Sequence, residues 1–354
     1  MNWVFPLGSL IRNVQAQELL KNEIRVILGP QTTPETNFVV ELGAKSQVPI
    51  VSFSATSSYL SHVRSPYFIQ MAGADSSQLK AIASIFKGFG WKEVIFVYED
   101  TGYQDGLIQY LSDAMREADA AGMMSEGYAW LTTDGLSNTF AFMDATVRDA
   151  MQGVLGTRPY VPKSTKVTTF KMRWGRELQC TKPKAELNIF GSWAYDAVWA
   201  LAMAVERVTP DHNADHKENL GISELGPTLL KELLRTKFKG LSGEFSLVNR
   251  QLQISDFEIL NVIGNGEQSI GYWNSDRGLS RDPDSLNISS TYSTSVNVLR
   301  SIIWPGDSTV KPMYWAVPTS GRRLKVGVPV KDGFTEFAKL QQFQNTTEKR
   351  WELR

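Results

Sequence analysis

Short β-rich runs that end in a turn and lead straight into a helix recur through the first 120 residues, and this alternation limits the fold more than any other feature of the chain. Glu23 to Leu28 (EIRVIL) runs into Gly29-Pro30, and Thr33-Pro34 then opens a helix expected to reach about Lys45, with proline in the first turn where its missing N–H costs nothing. Val48 to Phe53 (VPIVSF) and Tyr67 to Met71 are the next strand candidates. Asp75-Ser76-Ser77-Gln78 has the spacing of a capping box, with Asp75 as N-cap, and the helix it opens should stop near Gly88 and Gly90. Val94 to Tyr98 (VIFVY) predicts a central strand, followed by a helix from Tyr103 to about Ala118. Such steps predict an α/β fold with doubly wound, mainly parallel sheets.

The second half repeats this style and then changes. Tyr128 to Thr132 and Gln152 to Leu155 read as strands; Lys166 to Leu178, Phe190 to Val208 and Pro227 to Thr236 read as helices. Gly243 to Val248, Phe257 to Ile263 and Ile270 to Trp273 resemble antiparallel strands joined by Asn- and Gly-rich turns. Residues 274–323, rich in Ser, Asp, Pro and Arg, read as loop or linker. Leu324 to Val330 (LKVGVPV) is a sharp new strand with only 24 residues after it, which suggests a domain cut short.

Composition removes several function classes. Lys+Arg and Asp+Glu number 37 each, so the chain lacks the basic excess that a nucleic-acid or anionic-membrane partner favours. Cys180 is the one cysteine, which excludes a disulfide scaffold and a cysteine-based zinc site. The longest apolar stretch, Ala194 to Val205, carries Asp196 and falls short of the ~20 residues of a membrane span. Phe5 to Leu10 is too brief for a signal-peptide core, so secretion and direct membrane insertion are not expected of the chain as written.

A set of phrases in fixed order resembles the plant ionotropic glutamate receptor-like family. They include ILGPQTTPETNFV (27–39), VPIVSFSATSSYL (48–60), SPYFIQMAGADSSQ (65–78), FGWKEVIFVYED (89–100), MMSEGYAWLTTDG (123–135), AELNIFGSWAYDA (185–197), FKGLSGEF (238–245), NVIGNGE (261–267), IIWPGD (302–307) and LKVGVPVKDGF (324–334). The resemblance implies the amino-terminal domain: a two-lobed clamshell of the periplasmic-binding-protein-like type I, leucine-binding-protein-like, with the second lobe incomplete. On it, 1–22 is a remnant of the first βα unit, 23–98 the first lobe, 99–190 the incomplete second lobe and 191–273 the remainder of the clamshell. Residues 274–323 would be the linker and 324–340 the start of a truncated ionotropic ligand-binding domain. Between Ala118 and Gly122 the family has a further β–α–β portion that this chain lacks, a loss expected to leave the second lobe loose. The implied setting is the extracellular side of the plasma membrane, within a receptor assembled from homologous subunits.

The best binding constellation is Ser54-Ala55-Thr56, after VPIVSF at the C-terminal edge of a parallel sheet, where ligands of open α/β folds bind. Free backbone N–H groups with hydroxyls suit a carboxylate. The alternative is a turn that satisfies its own backbone. Gln31-Thr32-Thr33, after EIRVIL, has the same geometry. The resemblance adds Asp75, near the ammonium of an amino-acid ligand in relatives, although N-cap is the stronger reading. It also adds Tyr103, packing on the ligand from the second lobe, and Asp134, a second-lobe carboxylate facing the ammonium; turn or cap chemistry is the alternative for both. His212 and His216, with Asp211 and Asp215 beside them, superficially suggest a metal site but follow Pro210 without an apolar face and read as a solvated loop. Gly264-Asn265-Gly266 reads as a hairpin turn. Asn287-Ile288-Ser289 and Asn345-Thr346-Thr347 are glycosylation sequons.

The resulting expectation is a ligand-binding and assembly region with a small amino acid as ligand, no channel of its own, no cofactor and no metal. A free-standing amino-acid-binding protein and a non-functional receptor fragment are the alternatives. An enzyme is disfavoured because no acid–base or nucleophile constellation accompanies the fold.

Overall fold

The computed structural model describes residues 24–30, 33–56, 65–91, 95, 122–140, 143, 145–178, 187–208, 223, 225–264, 266–283, 291–312, 338–340 and 351–353. The chain divides into two compact units, residues 1–314 and 315–354. In the smaller, Ala338–Leu340 pairs antiparallel with Trp351–Leu353, and the expected strand Leu324 to Val330 lies outside the described residues.

The larger unit opens with β1 (Ile27–Leu28), α1 (Thr33–Ser46), β2 (Ile50–Ser52), β3 (Phe68–Gly73) and α2 (Asp75–Phe89). It continues with β4 (Leu131–Thr132), the short α3 (Asp134–Ser137) and α4 (Ala145–Ala150), β5 (Leu155–Pro159), α5 (Thr165–Leu178), α6 (Ile189–Arg207) and α7 (Gly226–Arg235). The short strands β6 (Phe238–Lys239), β7 (Glu244–Phe245), β8 (Leu247–Val248) and β9 (Gln251–Leu252) precede β10 (Asp256–Ile263), β11 (Gly266–Asn274) and β12 (Gly278–Ser280). Most elements fall where the apolar periodicity put them. Of the run Val94 to Tyr98, only Ile95 is described; it is irregular and 90% exposed.

These strands form two five-stranded sheets, ordered β1-β2-β3-β9-β8 and β12-β11-β10-β5-β4. In the first, β1, β2, β3 and β9 are parallel. In the second, β4 and β5 are parallel, whereas β10, β11 and β12 join antiparallel, as the hairpin at Gly264 requires. β3 is buried at every position, which matches its largely apolar run and means both faces of the first sheet are covered. One cover is α6, whose Trp193, Ala197, Ala200 and Leu201 pack on Val51, Ile69 and Met71.

Asp196 lies on the same buried side of α6 and is 1% exposed. Its carboxylate accepts from Leu241 N–H (2.7 Å), Ser242 N–H (2.8 Å) and Ser242 Oγ (2.6 Å), so it closes the turn between β6 and β7. A Cβ on Gly240 would stand 2.4 Å from that carboxylate, which accounts for the glycine in FKGLSGEF.

The second sheet is packed on both faces. Ala81, Ile85 and Phe89 of α2 meet Phe257, Ile259 and Trp273 on one side. Phe140, Met143, Val147 and Met151 meet Leu260 and Val262 on the other. α2 therefore packs with the second sheet, although its place in the sequence groups it with residues 23–98.

The chain passes between the sheets at Ala74, at Tyr160–Ser164 and at Gln253–Ser255. The passages touch one another. Tyr160 N–H donates to Asp256 O (2.9 Å). A Cβ on Gly73 would lie 2.1 Å from Ile254 Cδ1 and 3.4 Å from the Trp193 ring. Ile254 packs against the apolar clusters of both sheets.

The described residues of 274–323 carry structure where the sequence reads as loop or linker. β12 lies within them, and residues 291–312 close the second cluster from outside. Trp304, 2% exposed, sets its ring edge-on to Phe89 at 5.3 Å and to Trp91 at 5.9 Å. The Asn261 amide donates to Ile303 O and accepts from Ile303 N–H, both at 2.9 Å, replacing a neighbouring strand. Trp91 Nε1 donates to Pro312 O. Without helical or strand periodicity the segment gives no sequence signal, yet its Trp304 is core.

Two substitutions test this packing. Trp304→Ala should cost about 3–5 kcal/mol, as for other large aromatic truncations in cores, where a linker tryptophan would cost under about 0.5. Asp196→Ala leaves the buried Leu241 N–H and the part-buried Ser242 N–H without an acceptor and should cost about 2–4 kcal/mol. Urea unfolding of each variant measures both, and values below about 1 kcal/mol would contradict the packing described.

Candidate functional site

The turn after β2 is built by its own hydrogen bonds. Ser52 Oγ donates to Pro30 O (2.7 Å) and accepts from Ala55 N–H (3.1 Å). Gln70, 1% exposed on β3, donates from Nε2 to Ala55 O (2.8 Å) and accepts from Gln251 Nε2 (2.7 Å). The turn is thus clamped to the end of β1, to β3 and to β9. Ala55 is 1% exposed and both its backbone groups are used, so the self-satisfied turn describes this residue and its N–H does not serve a ligand. Ser54 and Thr56 flank it, half-buried, at the C-terminal edge of the parallel strands. Gln31 and Thr32, expected beside them after β1, lie outside the described residues, as does Tyr103.

Asp75 is the first residue of α2 and not its N-cap. Ala74 occupies that position in extended conformation and offers no side-chain acceptor. The capping-box reading fails because Gln78 has a different partner. Its side chain, 3% exposed, donates from Nε2 to Asp134 Oδ1 (2.6 Å) and accepts at Oε1 from Asp134 N–H (2.8 Å). Thr157 Oγ1 on β5 also donates to Gln78 Oε1 (3.4 Å). Asp134, the first residue of α3, is 5% exposed. The structure therefore holds Ser54, Ala55 and Thr56 in one hydrogen-bonded group on the first sheet and Asp134 in another on the second.

The pairing roles of Ser52, Gln70, Gln78 and Asp196 were missed in the sequence. A lone amide in the otherwise apolar FIQMAG was the available signal for Gln70, because a buried polar group must be paired. On the second sheet, Arg158 meets Glu258 (2.9 Å) and Glu267. Burial opposes its charge, and the two carboxylates more than offset this and raise its pKa. Among the described residues no group of His, Cys, Asp and Glu could hold a metal ion. His62, His212, His216 and Cys180 lie outside them. No described helix is long and apolar enough to cross a membrane.

Comparison with known proteins accounts for this architecture. The profile of the receptor family ligand binding region matches residues 12–121 and 114–265. Glutamate receptor 2.2 of Arabidopsis thaliana is 38% identical over 390 residues, covering 92% of this chain and 42% of the receptor. Glutamate receptor 2.4 of the same plant is 38% identical over 386 residues and glutamate receptor 2.1 is 37% identical over 386, each with the same coverage. The chain thus spans well under half the length of these relatives. The aligned stretches are longer than the 354-residue chain itself, so the relatives carry residues within them that have no counterpart here. The two profile matches meet at 114–121. With two mixed sheets, three adjoining crossings and a profile match along most of its length, the chain belongs to the receptor family ligand binding region, a type I periplasmic-binding-protein-like fold, and is glutamate receptor-like.

Proposed function

We propose that the chain is the amino-terminal ligand-binding and assembly region of a glutamate receptor-like, ligand-gated cation channel. Its setting is the extracellular side of the plasma membrane, its partners are homologous receptor subunits, and it performs no enzymatic reaction. The observation that carries the reading is similarity to plant glutamate receptors over 92% of the chain, within a family of receptor ligand-binding regions. The three crossings support it physically. Two sheets joined, among the described residues, by short adjoining segments are built to move as lobes, which is how a hinged clamp responds to a ligand.

The ligand is a small amino acid. Its carboxylate is held by the hydroxyls of Ser54 and Thr56, with Gln31 and Thr32 completing the first-lobe side. Ala55 contributes the shape of the turn, since Ser52 and Gln70 use its backbone groups. Asp75, first in α2, and Tyr103 supply the remaining contacts. Binding is weak, because the chain lacks part of the family's second lobe. Should no amino acid bind, subunit assembly is the role that remains.

Calorimetric titration with a panel of protein amino acids tests the site. Losing a hydrogen bond to a charged group costs about 1.5–3 kcal/mol, so Thr56→Ala should weaken binding roughly ten- to hundredfold. Saturable binding that ignores both Thr56→Ala and Ser54→Ala would place the ligand elsewhere.

A further inference from the structure

We propose that Gln78 and Asp134 form a hinge latch, an interlocked pair that fixes the first crossing by tying the start of α2 to the start of α3. The latch commits Asp134 to positioning the second lobe and not to contact with a ligand. The inference rests on the reading of the chain as a two-lobed binding domain.

The chemistry of the pair is complementary on both sides. A glutamine amide has a donor edge and an acceptor edge. As the first residue of a helix, Asp134 presents a carboxylate acceptor beside a backbone N–H that is one of the donors a helix start leaves without an internal partner. The two edges meet in the two hydrogen bonds already described, both buried. Thr157 extends the same junction to β5. Only Ala74 and the first turn of α2 separate the latch from Gly73, where Ile254 and Trp193 close in from the other side. The crossing is thereby held at both ends, by apolar contact at Gly73 and by the latch at Gln78. α2 must follow the second sheet, because its start is latched there and its apolar face packs on that sheet. At this crossing, movement between lobes is then confined to Gly73 and Ala74.

A charge-relocation cycle tests the latch. Gln78→Glu sets a carboxylate against a carboxylate and should lower Tm by about 4–8 °C. Asp134→Asn keeps an acceptor for Gln78 Nε2 and the backbone N–H, and should lower Tm by no more than about 3 °C. The double variant restores the pair with its roles exchanged, since the carboxylate introduced at position 78 accepts from both the side-chain amide and the backbone N–H at position 134. Tm should then return to within about 2 °C of wild type. A double variant as unstable as Gln78→Glu overturns the latch.

Hydrogen exchange separates a hinge role from general stability. In Gln78→Glu the amides of 74–80 and 134–138 should exchange about tenfold faster than the lost global stability alone accounts for, while 257–262 rise only by that loss, whereas an equal rise across the domain overturns the assignment to the crossing. Amino-acid affinity of Asp134→Asn should stay within about threefold of wild type, and a loss of about tenfold or more at unchanged Tm would make Asp134 a ligand contact and overturn its commitment to the latch. If the wild-type chain binds no amino acid, the ligand reading fails, and the melting and exchange results alone decide the latch.

Discussion

Everything in the larger unit depends on the narrow passage where the chain goes from one sheet to the other. At Gly73 there is no room for a Cβ, because Ile254 of the third crossing and Trp193 of α6 already occupy the space. Ile254 is at once part of the first apolar cluster and part of the second. Tyr160 N–H, in the second crossing, donates to Asp256 O at the end of the third. Three strand ends drawn from distant parts of the chain thus converge, and each sheet is completed by segments that return through this passage. β8 and β9 complete the first sheet, and β10 to β12 the second.

This arrangement separates two kinds of polar group. Those that shape each lobe are buried and fully engaged: Gln70 clamps the turn at Ala55, Asp196 closes the turn at Leu241 and Ser242, and Asn261 holds Ile303. Each sits among apolar neighbours, where an unpaired amide or carboxylate would cost several kcal/mol, so each fixes a loop in one conformation. Ser54 and Thr56, at the edge of the first sheet, are half-buried. The second sheet likewise keeps both faces packed, by α2 on one side and by the residues around Met151 on the other.

Much of this was legible in the sequence because local signals and global structure agree. VPIVSF, FIQMAG and the run from Phe257 to Ile263 are strands by apolar content, and α1, α5, α6 and α7 fall within one or two residues of their periodic segments. Partner choice was not legible. The spacing of Asp75 and Gln78 fits a capping box, but a residue 56 positions away, Asp134, satisfies Gln78 instead. Likewise α2 follows β3 immediately, yet its apolar face matches strands that come much later in the chain. Trp304 lies in a segment with neither strand nor helix periodicity, and only the rings of Phe89 and Trp91 reveal it as core. Of the expected site, the turn at Ser54–Thr56 is in place, and the amide donor expected from Ala55 is already used.

The central claim is that two sheets, each completed through one shared passage, are both stably packed in this chain, although its relatives carry residues within the aligned stretch that have no counterpart here. Amide hydrogen exchange at β3 and β10 measures this most directly. Both are central strands buried along most of their length, so the account predicts protection close to that of global unfolding in 68–73 and in 256–263 alike. Exchange within seconds through 256–263, with 68–73 still protected, would contradict it.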